Sequence, residues 1–399
     1  VISAPAGSSL GRTAPVLALL GLATLGLAAV VAALSAPALP FSSSLHLAAG
    51  GRVLLGASTI ALVIVAVFMR HGLSRRELLA TGLAGLGAQA VLMALAQPLL
   101  VALALLLIGF AHATRPSPRS LAARARGPAF AALLLGLGWA LLHSPGPTWL
   151  GRVSSLALAL GLAAAAGVLP YLPDVDPAEP ASSSYLVWTA FFGPALALVV
   201  GLPGPLLFGL NADEAAVFGS TLVGLGLINL GWGTIGAWRT ASDRAAWRYS
   251  FLADWGLVLV GLGLFRTSGE AGAVLGLVSI VMIRLPLCLW ARGVETGADG
   301  ARSGSAPLRV VLLTVMLAGV APFAGFPLRL LVLQAATQTA WPLAAALLLG
   351  MLLWIGHAAR LARTVDPPRG WPAVGLWITM TLSVAIGLAP GVVRAMAGF

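Results

Sequence analysis

Six side chains able to carry charge stand in or beside apolar stretches of the chain: Arg244, Arg248, Asp254, Arg284, Arg329 and His357. Their types define the chemistry on offer. A carboxylate or an imidazole can take up and release a proton, so Asp254 and His357 are the candidates for relaying one. An arginine keeps its proton across the physiological range, which restricts Arg284 and Arg329 to fixed positive charges that bias neighbours or hold water. Each residue also has a structural reading. Asp254 can pair locally with Arg248, His357 can be a packed, hydrogen-bonded ring three residues before Arg360, and Arg329 can bind carbonyls freed by a helix break. No motif supplies a catalytic residue, a metal site or a cofactor site for NAD, flavin or iron–sulfur. Cys288 is the single cysteine, so neither a disulfide nor a paired-thiol site is available.

The elements that must position these residues follow from composition. The 399 residues are 59% hydrophobic and 9% charged with a mean hydropathy of +0.98, against roughly 25% charged in soluble domains. The chain reads as an all-α polytopic membrane protein. At about 20 apolar residues per span, about thirteen transmembrane helices are expected, over 14–38, 51–70, 77–95, 97–114, 128–143, 152–172, 185–203, 214–238, 249–266, 270–292, 308–335, 340–363 and 371–393. On this scheme Asp254 lies one turn into its span. The first helix is expected to be a retained span rather than a cleaved signal, because Arg12 is its only upstream charge.

Net charge is +11, and all 23 basic residues are arginine. They are scattered through short connections and form no continuous groove, so nucleic acid is not expected as a partner. Counting along the spans, seventeen arginines fall on the side of the N-terminus, including Arg239, Arg244, Arg248, Arg309, Arg360 and Arg363, whereas Arg52, Arg152, Arg266 and Arg394 fall on the other. The positive-inside rule then makes the N-terminus cytoplasmic and Phe399 external, in a multi-pass protein of the cell (inner) membrane surrounded by lipid.

Two spans carry breaks. In AGVAPFAGFPLR, residues 318–329, Pro322 and Pro327 lack amide donors and lie beside Gly319 and Gly325; in LPYLPDVDPAEP, residues 169–180, Pro170 and Pro173 do the same. Unpaired carbonyls at membrane depth are tolerated only against protein or a wet cavity. Paired breaks in two halves of a membrane chain point to an internal repeat. The expected organisation is residues 1–76 as N-terminal helices, 77–203 and 214–363 as two inverted five-helix repeats each with a broken helix, and 364–399 as a C-terminal helix.

The stretch AWRTASDRAAWRYSFLADWG, residues 237–256, resembles a segment of the antiporter-like membrane subunits of complex I, the proton-pumping NADH:quinone oxidoreductase of respiratory chains. The family is shared with multisubunit cation/proton antiporters and membrane-bound hydrogenases. Its segment Ala-x-x-Gln-x-Asp-x-Lys-Arg-x-x-Ala-Tyr-Ser-Ser-Ile is matched by Ala237, Asp243, Arg244, Tyr249 and Ser250, with Arg244 at a lysine position. Its second broken helix, Gly-x-Pro-Pro-x-Ala-Gly-Phe-x-x-Lys, is matched by Gly319, Pro322, Ala324, Gly325, Phe326 and Arg329. The first is matched by Leu172, Pro173, Asp174, Pro180 and Ser184 without either histidine, and Arg284 before LPLCLWARG resembles the Lys-x-x-x-Phe-x-x-x-Gly of some members.

The resemblance spans roughly residues 77–393 and implies a membrane-arm subunit of a complex I-like assembly, closest to the small quinone-proximal N type, with other membrane and hydrophilic subunits as partners. It further implies a midplane row of glutamate and lysines for proton translocation. Here the corresponding places fall near Leu106, Leu162 to Ala166 and Pro194, none of which can ionise. The row is degenerate, so the resemblance implies a partly or wholly structural subunit, at most a non-catalytic part of a translocase. The alternatives are a stand-alone or Mrp-like secondary cation/proton transporter, or a membrane subunit of a membrane-bound hydrogenase.

Overall fold

The computed structural model describes residues 45–68, 121–169, 209–291, 307–365 and 370–398, with a few positions in 82–89 and residues 191, 194 and 195. Expected spans at 14–38 and 97–114, most of those at 77–95 and 185–203, and Pro170 and Pro173 lie outside them. The described residues form helices and no named strand. In chain order they are α1 (Leu45–Phe68), α2 (Leu121–Leu142), α3 (Thr148–Ala165), α4 (Ala212–Arg239), α5 (Asp243–Gly263), α6 (Thr267–Ser279), a π-helical turn (Ile280–Arg284), α7 (Leu285–Trp290), α8 (Pro307–Leu317), α9 (Gly325–Thr339), α10 (Trp341–Thr364), α11 (Trp371–Leu388) and α12 (Pro390–Met396).

Among the described residues, five stretches are long and apolar enough to cross a bilayer: Gly51–Phe68, Thr148–Ala165, Ala212–Arg239, Thr267–Trp290 and Trp341–Thr364. From Ala271 to Trp290 this last-but-one stretch is buried throughout and forms the middle of the bundle, whereas α4 and α10 bury only a third of their most apolar stretches. The two outer helices carry a wide apolar face turned away from the protein.

Several boundaries differ from the hydropathy reading. Helix α5 begins at Asp243, six residues before the expected 249, because Ser242 accepts from the Ala245 amide as N-cap and Asp243 favours the positive end. Asp254 therefore stands three turns into its helix, not one. The C-terminal span expected over 371–393 is not straight: α11 and α12 meet at 80°, where Pro390 cannot give its amide to the helix.

The helices touch closely wherever glycine removes a side chain. Gly219, Gly226 and Gly233 recur every seventh residue on α4 and face α5. A Cβ on Gly226 would lie 2.6 Å from the Gly256 carbonyl oxygen, and one on Gly256 would lie 2.7 Å from that of Gly226. Gly261 and Gly269 make the same reciprocal approach between α5 and α6, with 2.8 and 2.7 Å. With no aqueous hydrophobic drive between helices in lipid, such backbone-to-backbone packing holds the bundle together.

Two ends of the bundle can be assigned from contacts. At one, Trp290 donates to the Phe68 carbonyl at 3.3 Å, Arg360 joins the end of α10 to the α4–α5 connection, and Ala291 bridges Val365. Arg239, Arg244, Arg248, Arg360 and Arg363 collect there, with Asp243. At the other, exposed Arg152 meets Asp213 at 3.0 Å, and Asn211 and Glu214 close a capping box on α4.

Candidate functional site: a buried charge centre and two helix breaks

Asp254 and Arg284 meet in the middle of the bundle. Arg284 Nε donates to Asp254 Oδ2 at 2.7 Å, and the two side chains are 6% and 13% exposed. Arg284 Nη2 donates to Ser250 Oγ at 2.7 Å, and Ser250 in turn donates to the Trp247 carbonyl. Three rings surround the guanidinium, with its carbon 5.4 Å from the Trp247 centroid, 5.9 Å from Phe251 and 5.6 Å from Trp354. These distances lie within the range where a ring face attracts a cation. Asp254 is thus paired, but with a residue 30 positions away on the next helix, where the expected partner was Arg248.

The chain reaches this geometry through the π-helical turn. Pro286 cannot donate, and just before it the Leu285 amide reaches back to the Ile280 carbonyl, the i to i−5 pattern of a π-bulge. The wide turn sets Arg284 against the faces of Ser250 and Asp254, four residues apart and so on one side of α5.

The second break lies between Leu317 and Gly325, and several of the freed backbone groups there have partners. Helix α8 ends in a Schellman motif: Gly319, at φ +62, donates to the Met316 carbonyl and Val320 to that of Val315. Trp354 Nε1 donates to the Leu317 carbonyl at 3.1 Å, Arg329 Nη1 donates to that of Ala318, and the Ala324 amide donates to Ser383 Oγ at 3.2 Å. Pro322 lies in the break; Gly325 opens α9, and Pro327 in its first turn needs no amide partner. A side chain on Gly319 would run into the Arg329 guanidinium, and a Cβ on Gly325 would approach the Gly319 Cα at 2.8 Å. Trp354 touches both the break, through the Leu317 carbonyl, and the cation, through its ring. The break and the ion pair form one unit.

Helix α3 ends on the same motif. Gly167, at φ +64, donates to the Ala164 carbonyl and Val168 to that of Ala163. Beyond it, buried Asn229 of α4 accepts from the Leu169 amide at 2.8 Å and donates to the Leu169 carbonyl at 3.3 Å. The sequence repeats accordingly, AGVLPY at 166–171 and AGVAPF at 318–323. An internal repeat was expected from the paired prolines, but neither this recurring phrase nor Asn229 figured among the expected features. The signals were present: one phrase recurring 152 positions later, and one of only two asparagines in the chain, alone in an apolar span.

The remaining candidates lie apart from the pair. His357 is buried, its Nε2 3.2 Å from the Thr234 carbonyl, with its ring 5.2 Å from that of Trp238 and 5.4 Å from that of Trp354. Arg244 and Arg248 lie in the first turns of α5 at the arginine-rich end. Arg360, whose role sequence reading left open, donates to Asp243 and to the carbonyls of Ala237, Thr240 and Ala241. Among the described residues no group of three histidine, cysteine or carboxylate side chains is placed to hold a metal.

Chemically, the centre is a fixed dipole. Protonating Asp254 would leave the Arg284 cation uncompensated in a low-dielectric interior, and Arg284 has no neutral form to offer. Aromatic rings line three directions around it, and rings do not pass protons.

No protein-family model and no curated protein matches the chain. Solved structures do. The chain superposes over 97% of its length on a chain in the structure of the Mrp complex from Dietzia sp. DQ12-45-1b, with a TM-score of 0.73 and 15% identity, spanning 49% of that chain. It matches over 97% a chain of the membrane-bound sulfane sulfur reductase, an archaeal respiratory membrane complex, with a TM-score of 0.65, 18% identity and 73% of that chain covered. Over 96% it matches a chain of respiratory complex I from Thermus thermophilus, with a TM-score of 0.63, 17% identity and 94% of that chain covered. The protein therefore has the multi-helix membrane fold common to chains of these three assemblies, and spans about half the length of the Mrp chain.

Proposed function

We propose that the protein is a membrane subunit of a multisubunit complex I-like assembly, of the small quinone-proximal type, and that it acts as a scaffold and seal rather than as a proton channel. The observation that carries this is the Arg284–Asp254 pair. Where the resembling family implies a titratable relay, this chain has an arginine clamped to its carboxylate at 2.7 Å inside an aromatic cage. A charge at membrane depth costs at least about 2.5–3.5 kcal/mol on insertion scales, and here both charges are spent on each other. Coverage of 94% of the complex I chain, against 49% of the Mrp chain, supports a subunit of that size and kind. The two breaks with their common AGV-x-P phrase support two inverted repeats, and the arginine-rich end supports placing Arg239, Arg360 and Arg363 on the cytoplasmic side.

The test is extraction in a mild detergent followed by reconstitution. The chain is expected to co-migrate with other membrane and hydrophilic subunits, and assemblies carrying Arg284→Met with Asp254→Leu are expected to pump as many protons per turnover as the natural form. Loss of pumping with assembly and electron transfer intact would make the pair a working part of the path. Purification as a single active species would instead identify a stand-alone transporter.

A further inference from the structure

Helices α4 and α10 run in the same direction, since Arg360 near the end of α10 binds the carbonyls of Ala237, Thr240 and Ala241 around the end of α4. Their exposed outward faces meet along a seam. On α4, Ile228, Trp232 and Ile235 are 53–55% exposed, and Arg239, exposed, follows one turn later at the same helical spacing. On α10, Leu349, Gly356 and Arg363 recur every seventh residue and so share one face; Leu349 is 58% exposed and Arg363 is exposed. Trp238 closes the seam between them. Its ring lies on Gly356, where a Cβ would meet it at 2.7 Å, and its Nε1 donates to the Leu353 carbonyl at 3.2 Å while 60% of the residue stays exposed.

Each helix thus presents an apolar line that ends in an arginine, and both arginines stand at the same end. From Ile228 to Arg239 the rise is about 16 Å at 1.5 Å per residue, close to half of a hydrocarbon core about 30 Å thick. That is the depth of one leaflet. A tryptophan at the junction suits the boundary between acyl chain and headgroup. At this end the described residues offer Arg126, Arg239, Arg244, Arg248, Arg309, Arg360 and Arg363 against Asp243 alone; at the other, Arg52, Arg152, Arg266 and Arg394 stand with Asp213, Glu214 and Glu270.

We infer that the α4–α10 face binds one anionic phospholipid of the arginine-rich leaflet, its acyl chain along Ile228, Trp232, Ile235 and Leu349 and its phosphate between Arg239 and Arg363. A second protein on this face would need acidic groups to meet the two arginines, whereas the phosphodiester is supplied by the leaflet itself. The inference stands whether or not the chain belongs to a complex I-like assembly.

The test is native mass spectrometry of the full chain, extracted from bilayers containing equal amounts of phosphatidylglycerol and phosphatidylcholine with identical acyl chains. The natural protein should retain phosphatidylglycerol with roughly thirtyfold preference, the effect of two arginines near the surface. Arg239→Gln with Arg363→Gln should bring that preference close to one, and Arg152→Gln at the opposite end should leave it unchanged. Gly356→Leu, which displaces Trp238 without altering charge, should lower retention of both lipids. Equal retention by the natural protein, an unchanged preference in the double variant, or a free phosphate ion competing as well as the lipid would each overturn the assignment.

Discussion

Removing one partner of the Arg284–Asp254 pair should destabilise the protein far more than removing both. At 2.7 Å and an effective dielectric of about 20, the attraction is about 6 kcal/mol, and it offsets most of the desolvation of two side chains that are 6% and 13% exposed. Asp254→Leu leaves Arg284 with Ser250 and three rings as its company, and breaking a buried pair on one side typically costs about 3–5 kcal/mol. Arg284→Met alone strands the carboxylate at similar cost. The paired swap Arg284→Met with Asp254→Leu removes attraction and desolvation together and should fall within about 1–2 kcal/mol of the natural protein. Reversible unfolding of the purified chain in mixed micelles, fitted for all four forms, gives the coupling directly. A coupling energy below about 1 kcal/mol, or a double variant as unstable as the sum of its singles, would refute the view that this pair is a self-neutralising lock.

Four further substitutions test the helix ends and the helix contacts. Gly319→Ala should cost about 1–2 kcal/mol for its left-handed φ alone, and Asn229→Leu about 1–3 kcal/mol for the buried Leu169 groups it strands; hydrogen exchange should quicken at the second break in the former and at the Leu169 amide in the latter. Gly226→Ala should weaken the α4–α5 contact in the same unfolding assay, whereas Gly224→Ala, with nothing within 4 Å of its new Cβ, should be neutral or stabilising by roughly 0.5–1 kcal/mol.

The apolar runs were legible because hydropathy over 20 residues is a property of the chain alone, and so was the interruption around Pro322, since a missing amide cannot be restored by context. The start of α5 escapes hydropathy because Ser242 and Asp243 open the helix six residues ahead of the expected 249, a capping effect that a hydropathy window averages away. The partner of Asp254 was beyond the sequence for a different reason. Which of several arginines faces it depends on the rotation of the helix carrying Arg284, and that rotation is set by the π-helical turn at Ile280–Arg284.

The glycine spacing explains why a charge pair can sit at this depth at all. Gly219, Gly226 and Gly233 bring α4 onto the backbone of α5, and Gly261 with Gly269 brings α6 onto its other side. Helix α5 is therefore gripped on two faces, and its remaining face carries Trp247, Ser250, Phe251 and Asp254 toward Arg284. A helix held in this way has little freedom to rotate or slide, so the carboxylate cannot swing from one partner to another as a relay would require. Trp354 extends the same constraint to the second break by touching Arg284 with its ring and the Leu317 carbonyl with its Nε1. Backbone irregularity at membrane depth, elsewhere a place for movement, is tied here through one tryptophan and one arginine to the most rigid part of the bundle. Rigidity of this kind is what the proposed role as scaffold and seal requires.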